Sequence, residues 1–248
     1  MSQSTSSKPS AKAGVSSFKY LDVISSLFVT VLVVSNIASS AKIVDLGVSF
    51  FSIPLAFDGG TLLFPLAYVL GDVLTEVYGF KTTRRVIWTG FAALVLTALV
   101  FLALGALPPE AFWEAETGGD VAYNAILGGI SYGGIVLASL SAYLAGEFSN
   151  AAVLSKLKVK MKGRLLFVRT IGSTLVGELL DTLIFVLIAS AAGVFGWEIF
   201  WSLVITNYIL KCGIEALITP FTYWASRFLK RKEGIDVYDE GIKYNPIS

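Results

Sequence analysis

Histidine is absent from this 248-residue chain, and cysteine occurs once, as Cys212. A His/Cys metal site or a disulfide framework therefore has no basis, and a Ser-His-Asp hydrolase is excluded. Charge is scarce as well: Asp, Glu, Lys and Arg make up 15% of the chain, against roughly 25% in an average soluble domain. Lys+Arg 19 against Asp+Glu 18 leaves no basic excess, so a nucleic-acid partner has no support. No Walker motif is present, which removes ATP hydrolysis by a P-loop, and no cofactor is expected. Any proton chemistry has to run on carboxylates, lysine or tyrosine.

What the chain does have is apolar sequence in long runs, with 55% hydrophobic residues and a mean hydropathy of +0.73. A bilayer core of about 30 Å needs ~20 mostly apolar helical residues. Six windows qualify: Leu21–Ala41, Thr61–Tyr78, Val86–Leu107, Ala125–Glu147, Val168–Val194 and Glu198–Trp224. Pro54, Pro108-Pro109 and Pro220 fall at or near their ends, where helix breakers belong. The last two windows exceed what a span needs, so tilt or a kink is expected. The expected fold is thus an all-α integral membrane protein with six transmembrane helices over residues 18–229, its partner being the lipid bilayer. Residues 1–17, rich in Ser, Lys and Ala, read as a disordered tail, and residues 230–248 as a C-terminal tail. A cleavable secretory signal ending at Ala38-Ser39-Ser40-Ala41 is the rival reading of the first window; Asn36 and the chain after it fit a retained helix better.

Lys and Arg set the orientation. Of the nineteen basic residues, all but Lys42 and Lys211 fall in the N-terminal tail, the links after the second and fourth windows, and the C-terminus. The alternate links hold Lys42 with Glu110, Glu114, Glu116 and Asp120. Both termini are therefore expected in the cytoplasm. Trp88, Trp113, Trp197, Trp201 and Trp224 mostly fall near the window ends, as an interfacial aromatic belt would have them. Gly128, Gly129, Gly133 and Gly134 read as close packing of the fourth helix against a neighbour.

Ionisable groups at mid-membrane cost about 2.5–3.5 kcal/mol each on insertion scales, so they usually face a cavity and serve function. Asp72 and Glu76 lie one turn apart on one helical face, and Glu178 and Asp181 are likewise adjacent. Asn207, Lys211 and Glu215 form a stripe down the sixth window, and Asn36 sits late in the first. Glu147 and Asp22 read as lying near helix ends, in reach of interface water. Helix-to-helix polar glue is the bland account of this set. Four buried acids against one buried base exceed what pairing can neutralise, which favours a polar solute pathway. An intramembrane hydrolase built on paired acids such as Asp72 and Asp181 is the enzymatic rival, without companion motifs to support it. Three helices followed by three would also make the second half an inverted copy of the first. Gly71-Asp72-Val73-Leu74-Thr75-Glu76 and Gly177-Glu178-Leu179-Leu180-Asp181-Thr182 occupy corresponding places.

The run Gly71-Asp72-Val73-Leu74-Thr75-Glu76-Val77-Tyr78-Gly79, followed by Arg84-Arg85, resembles the hallmark of the queuosine precursor transporter family, earlier labelled vitamin-uptake-like. Gly146-Glu147-Phe148-Ser149-Asn150, Arg169 to Thr174 with Gly177-Glu178, Lys211 with Glu215, and Gly234-Ile235-Asp236-Val237-Tyr238-Asp239 extend the likeness over roughly residues 20–240. The resemblance implies import of a deazapurine, namely 7-cyano- or 7-aminomethyl-7-deazaguanine or queuine. It also implies a fold similar to the substrate-binding subunits of energy-coupling-factor transporters, not an enzyme, in the cell membrane; a homodimer is the assembly considered. The chemistry is compatible. A guanine-like edge offers two parallel donors that a carboxylate accepts, and its carbonyl wants a donor such as Lys211, Asn207 or Asn36. The substrate-binding set expected is Asn36, Asp72, Glu76, Tyr78, Glu178, Asp181, Asn207, Lys211 and Glu215. The same residues would suit another small polar or vitamin-like solute.

Overall fold

A computed structural model describes residues 18–50, 53–131, 133–193 and 196–247; the expected tail at 1–17 lies outside the described residues. The elements run α1 (Leu21–Ala41), β1 (Ile43–Phe50), β2 (Ile53–Asp58), a 3₁₀ turn (Gly59–Leu62), α2 (Phe64–Tyr78), α3 (Phe80–Gly105), α4 (Ala111–Thr117), α5 (Gly119–Ser131), α6 (Gly134–Lys160), α7 (Leu166–Ala191), a second 3₁₀ turn (Trp197–Ile199) and α8 (Phe200–Glu233). The bundle is turned inside out relative to a water-soluble one. Asp72, Glu76, Glu147, Asn150, Glu178 and Glu215 are each at most 5% exposed. Leu96, Leu99, Val176, Leu179, Ile209 and Leu217 stand 40–81% exposed. Only a lipid surround makes that distribution favourable, because outward apolar area and inward charge would both be costly in water.

Among the described residues, four helical segments are long and apolar enough to cross a bilayer: Leu21–Ala41, Phe80–Gly105, Leu166–Ala191 and Trp197–Glu233. The fifteen residues of α2 rise about 22 Å, short of the ~30 Å core. The far end of α6 carries Lys156, Lys158 and Lys160. For α2 and α6 the six-span expectation therefore rests on their place in the bundle rather than on their own apolarity.

Several expectations are corrected. The all-α fold class holds for the bundle, and one antiparallel hairpin is added between α1 and α2, in which Ile43 pairs with Asp58 and Phe50 with Ile53, with an irregularity at Asp45–Ser49 around Gly47. The window Ala125–Glu147 is two elements, because Gly133 adopts φ +85° and ends the α5 direction before α6 begins. No atom lies within 4 Å of where a Cβ on Gly133 would sit, so this glycine breaks a helix rather than packing one. Because α6 then runs to Lys160, Glu147 lies in its middle and not at its end. The acidic link forms the short α4, whose first turn is capped by Glu110 accepting from Trp113 N at 2.8 Å. The capping amides of Trp113 and Phe112 hold the exposed Glu110 carboxyl below its ordinary range.

The C-terminal segment is no free tail. Ile235, Ile242 and Tyr244 pack on the core, and Val237 N donates to Val77 O at 3.4 Å. Asp239 accepts from Phe80 N at 2.7 Å and from Ser155 Oγ at 2.5 Å, so it caps the N-terminus of α3, which lacks a side-chain cap of its own. The α2–α3 corner turns at Gly79 with φ +81°, and a Cβ there would meet Val237 and Asp239 at 2.8 and 2.9 Å. The motif around Asp236 and Asp239 is thus a strap fitted to that corner. Glu233 does the same for α1: its carboxylate accepts from Lys19 N at 2.9 Å and Tyr20 N at 2.7 Å.

Candidate functional site

Two polar centres are stacked along the bundle, and α2 carries one residue of each. Asp72 and Glu76 share a face, yet one helical turn separates them by about 6 Å along the axis, enough to put them in different company.

Glu76 belongs to the lower centre, at the end where the basic residues gather. Arg169 of α7 grips its carboxylate through both guanidinium nitrogens, Nη2 at 3.1 Å, and also donates to the carbonyls of Arg164 and Gly163. Lys230 of α8 adds a contact at 2.5 Å, and Lys158 of α6 stands 3.8 Å away. Lys158 in turn donates to Glu76 O at 2.6 Å and to Asp236 at 2.5 Å, and Asp236 also takes Lys230 at 2.8 Å. Burial pushes Asp236 up, but hydrogen bonds from Lys158 and Lys230 outweigh it and hold the carboxyl below its ordinary range. One carboxylate therefore joins α2, α6, α7, α8 and the strap. Tyr78 is nearby, its hydroxyl donating to Glu233 at 2.9 Å and its ring edge-on to Phe18. Glu76 and Tyr78 make their hydrogen bonds in this lower network, although the charges of Glu76 and Arg169 still reach Asp72 one turn away.

The upper centre holds Asp72, Glu178, Asp181, Lys211 and Glu215, together with three residues the sequence reading did not place there: Tyr68, Glu147 and Asn150. Asn150 Nδ2 donates to Asp72 Oδ1 at 2.8 Å, while Asp72 Oδ2 and Asn150 Oδ1, both buried, have no hydrogen-bond partner among the described residues. Lys211 lies between Asp181 at 2.5 Å and Glu178 at 3.3 Å. The Tyr68 phenol, buried on α2, faces Glu178. Glu147 feels the fields of Asp72, Asp181 and Glu178, and Glu215 those of Asp72, Glu178 and Glu147. Both Glu215 oxygens lack partners among the described residues, as do the hydroxyls of Thr174 and Thr182. A small cleft between α7 and α8, of about 10 Å³, is lined by Ile171, Thr174, Leu175, Cys212, Glu215 and Ala216.

Glycines make this centre possible. A Cβ on Gly146 would sit 2.8 Å from Asp181 Cβ, and one on Gly177 2.8 Å from Asn150 Cβ and 3.0 Å from Gly146 O. A Cβ on Gly71 would lie 3.3 Å from the Glu147 carboxylate. In each of Gly71-Asp72, Gly146-Glu147 and Gly177-Glu178, the glycine brings a neighbouring helix close and the next residue supplies an acid. That dipeptide was the signal that could have found Glu147. Asn36 and Asn207 lie apart, toward the hairpin end. Asn36 donates to Leu32 O at 3.0 Å and accepts from Ser139 at 3.1 Å, and Asn207 donates to Leu203 O at 3.0 Å.

The arrangement offers an excess of acceptors in a water-poor interior, with one lysine to donate. It suits a small solute that brings hydrogen-bond donors or positive charge.

Comparison with known proteins agrees with a transport role. A family model described as "Putative vitamin uptake transporter" matches residues 58–225, a range that contains the whole upper centre and leaves Lys230 and the strap outside. A Bacillus subtilis (strain 168) protein named "Probable queuosine precursor transporter" is 26% identical over 175 residues, covering 70% of this chain and 73% of that protein. No solved structure matches. With that family match spanning most of its length, this multi-pass membrane chain belongs to the vitamin uptake transporter family.

Proposed function

We propose that the chain imports a queuosine precursor across the cell membrane, binding 7-cyano- or 7-aminomethyl-7-deazaguanine, or queuine, in the upper polar centre. The observation that carries this reading is the set of buried acceptors around Asp72, Asn150 and Glu178 with Lys211 beside them. A carboxylate of Asp72 or Glu178 accepts the N1–H and 2-amino donors of the guanine-like edge, and Lys211 donates to the carbonyl. Tyr68 contributes an apolar ring face with a polar tip. Asp181 holds Lys211 in place, and Asn150 orients Asp72. Glu76 is assigned to the ion network and Tyr78 to the Glu233 contact, both outside substrate reach.

The α7–α8 cleft has room for about one water, far below the roughly 300 Å³ at which small-molecule pockets begin, so substrate entry parts these helices. In this reading α1, α2, α3, α6, α7 and α8 make six crossings, an even number that keeps both termini on one side, and the basic residues gathered at the Glu76 end support the cytoplasm as that side. The 3+3 inverted repeat would then relate α2 and α7, which carry Asp72 and Glu178.

Calorimetric titration of the purified protein with 7-cyano-7-deazaguanine tests the assignment. Saturable binding that weakens at least about tenfold in Glu178→Gln and Lys211→Met is expected, the loss of one charge-assisted contact being about 1.5–3 kcal/mol. Binding of a different vitamin-like solute with no response to deazapurines would move the substrate assignment elsewhere.

A further inference from the structure

Glu215 differs from the other acids of the upper centre in what it borders. It is 2% exposed, and neither of its oxygens has a hydrogen-bond partner among the described residues. It faces Asp72 from α2, Glu147 from α6 and Glu178 from α7, with Lys211 and Cys212 before it on its own helix. It also lines the cleft between α7 and α8, whose other wall begins at Ile171, two residues past Arg169 of the ion network. Glu215 thus stands between the acids of the upper centre and the cleft at the α7–α8 seam.

The charge count then matters. Five carboxyls, Asp72, Glu147, Glu178, Asp181 and Glu215, crowd the upper centre; Lys211 acts on Glu178 and Asp181 and Arg169 on Asp72, while the charges acting on Glu147 and Glu215 are other carboxyls. A neutral deazapurine brings hydrogen bonds to that set and no charge. A low-dielectric interior holds such an acidic excess only with a counter-cation. No group of three or more His, Cys, Asp or Glu arranged to hold a metal ion occurs among the described residues. Calcium or magnesium would want six or more oxygens gathered into one cage, which these carboxyls do not form among the described residues. The cation that needs a single carboxyl is the proton.

We propose that Glu215 is a proton-binding site that exchanges its proton through the α7–α8 cleft, so that each substrate passage carries a proton and uptake follows the proton gradient. This rests on the upper centre being the substrate site. The route is short: Glu215 and Thr174 line one cleft, and the Thr174 hydroxyl has no hydrogen-bond partner among the described residues to compete for a relayed proton.

The test uses the full chain in proteoliposomes loaded with a pH-sensitive dye. Adding 7-cyano-7-deazaguanine outside should acidify the lumen of wild-type vesicles, and an inward proton gradient should raise accumulation about tenfold per pH unit. Glu215→Gln should lose both responses while Glu215→Asp keeps them. Wild-type uptake with no lumenal acidification and no response to the gradient would overturn the proposal. A separate reading, infrared spectroscopy of purified protein stepped through pH, needs no substrate. A protonated-carboxyl C=O band present in wild type and missing in Glu215→Gln supports the proton site, and a band unchanged by the substitution overturns it. If no deazapurine is bound or carried, the substrate reading fails, and the infrared band alone decides the proton site.

Discussion

Replacing Arg169 with methionine tests the lower ion network most sharply. Arg169 is 1% exposed, and it makes two guanidinium contacts to Glu76 and two to the α6–α7 turn carbonyls. Breaking a buried ion pair from one side typically costs about 3–5 kcal/mol, mostly because the surviving charge is left buried. Here Glu76 keeps Lys230 at 2.5 Å and Lys158 at 3.8 Å, so the lower end, about 3 kcal/mol, applies. Glu76→Gln should cost more. It strands Arg169 in the interior and leaves both lysines with Asp236, whose side chain is 42% exposed and screened. For a chain of this size a loss of 3 kcal/mol corresponds to a fall in Tm of roughly 6–12 °C. Tryptophan-monitored thermal unfolding in detergent measures it, and Arg169→Met combined with Glu76→Met should recover part of the Glu76→Met loss, since Arg169 is no longer stranded and only Lys158 and Lys230 are left to share Asp236. A fall of under about 2 °C for Arg169→Met would show that the network behaves like a surface pair, and the reasoning would fail.

The other predictions concern close approach, the strap and pH. Gly177→Ala places a Cβ 2.8 Å from Asn150 Cβ and should destabilise by about 1–3 kcal/mol, whereas Gly213→Ala meets nothing within 4 Å and should be neutral or mildly stabilising; thermal unfolding separates the two. Asp239→Ala removes the cap on α3 and should cost about 0.5–2 kcal/mol, with faster hydrogen exchange at Phe80. Because Asp236 is held below its ordinary range when folded, its contribution is full above that range and is lost as pH falls through the lower folded value; proteolytic nicking of residues 235–247 should rise on acidification.

The helices were legible because apolar runs of about twenty residues are a strong, local signal. Their ends were less so. Hydropathy alone could not see that Gly133 would turn the chain or that α6 would continue past Glu147 into lysine-rich sequence. The β1–β2 hairpin rests on pairing between residues up to fifteen apart in the chain, which composition does not announce. The candidate site divided along the same line. The helical wheel correctly put Asp72 and Glu76 on one face, yet which neighbour each meets depends on depth along the axis, and on Arg169, 93 residues further on. Asn36 and Asn207 looked functional by polarity alone, while their amide nitrogens turn back to their own helices. The strap motif was visible as a likeness before its reason, a cap for α3 and a partner for Lys158, could be known.

Uptake into proteoliposomes containing this protein alone is the most direct measurement of the central claim. Wild-type protein should take up labelled 7-cyano-7-deazaguanine saturably, and Asp72→Asn and Glu178→Gln variants that reconstitute equally should lose that uptake. Wild-type vesicles indistinguishable from empty ones, or equal uptake by both variants, would contradict the account.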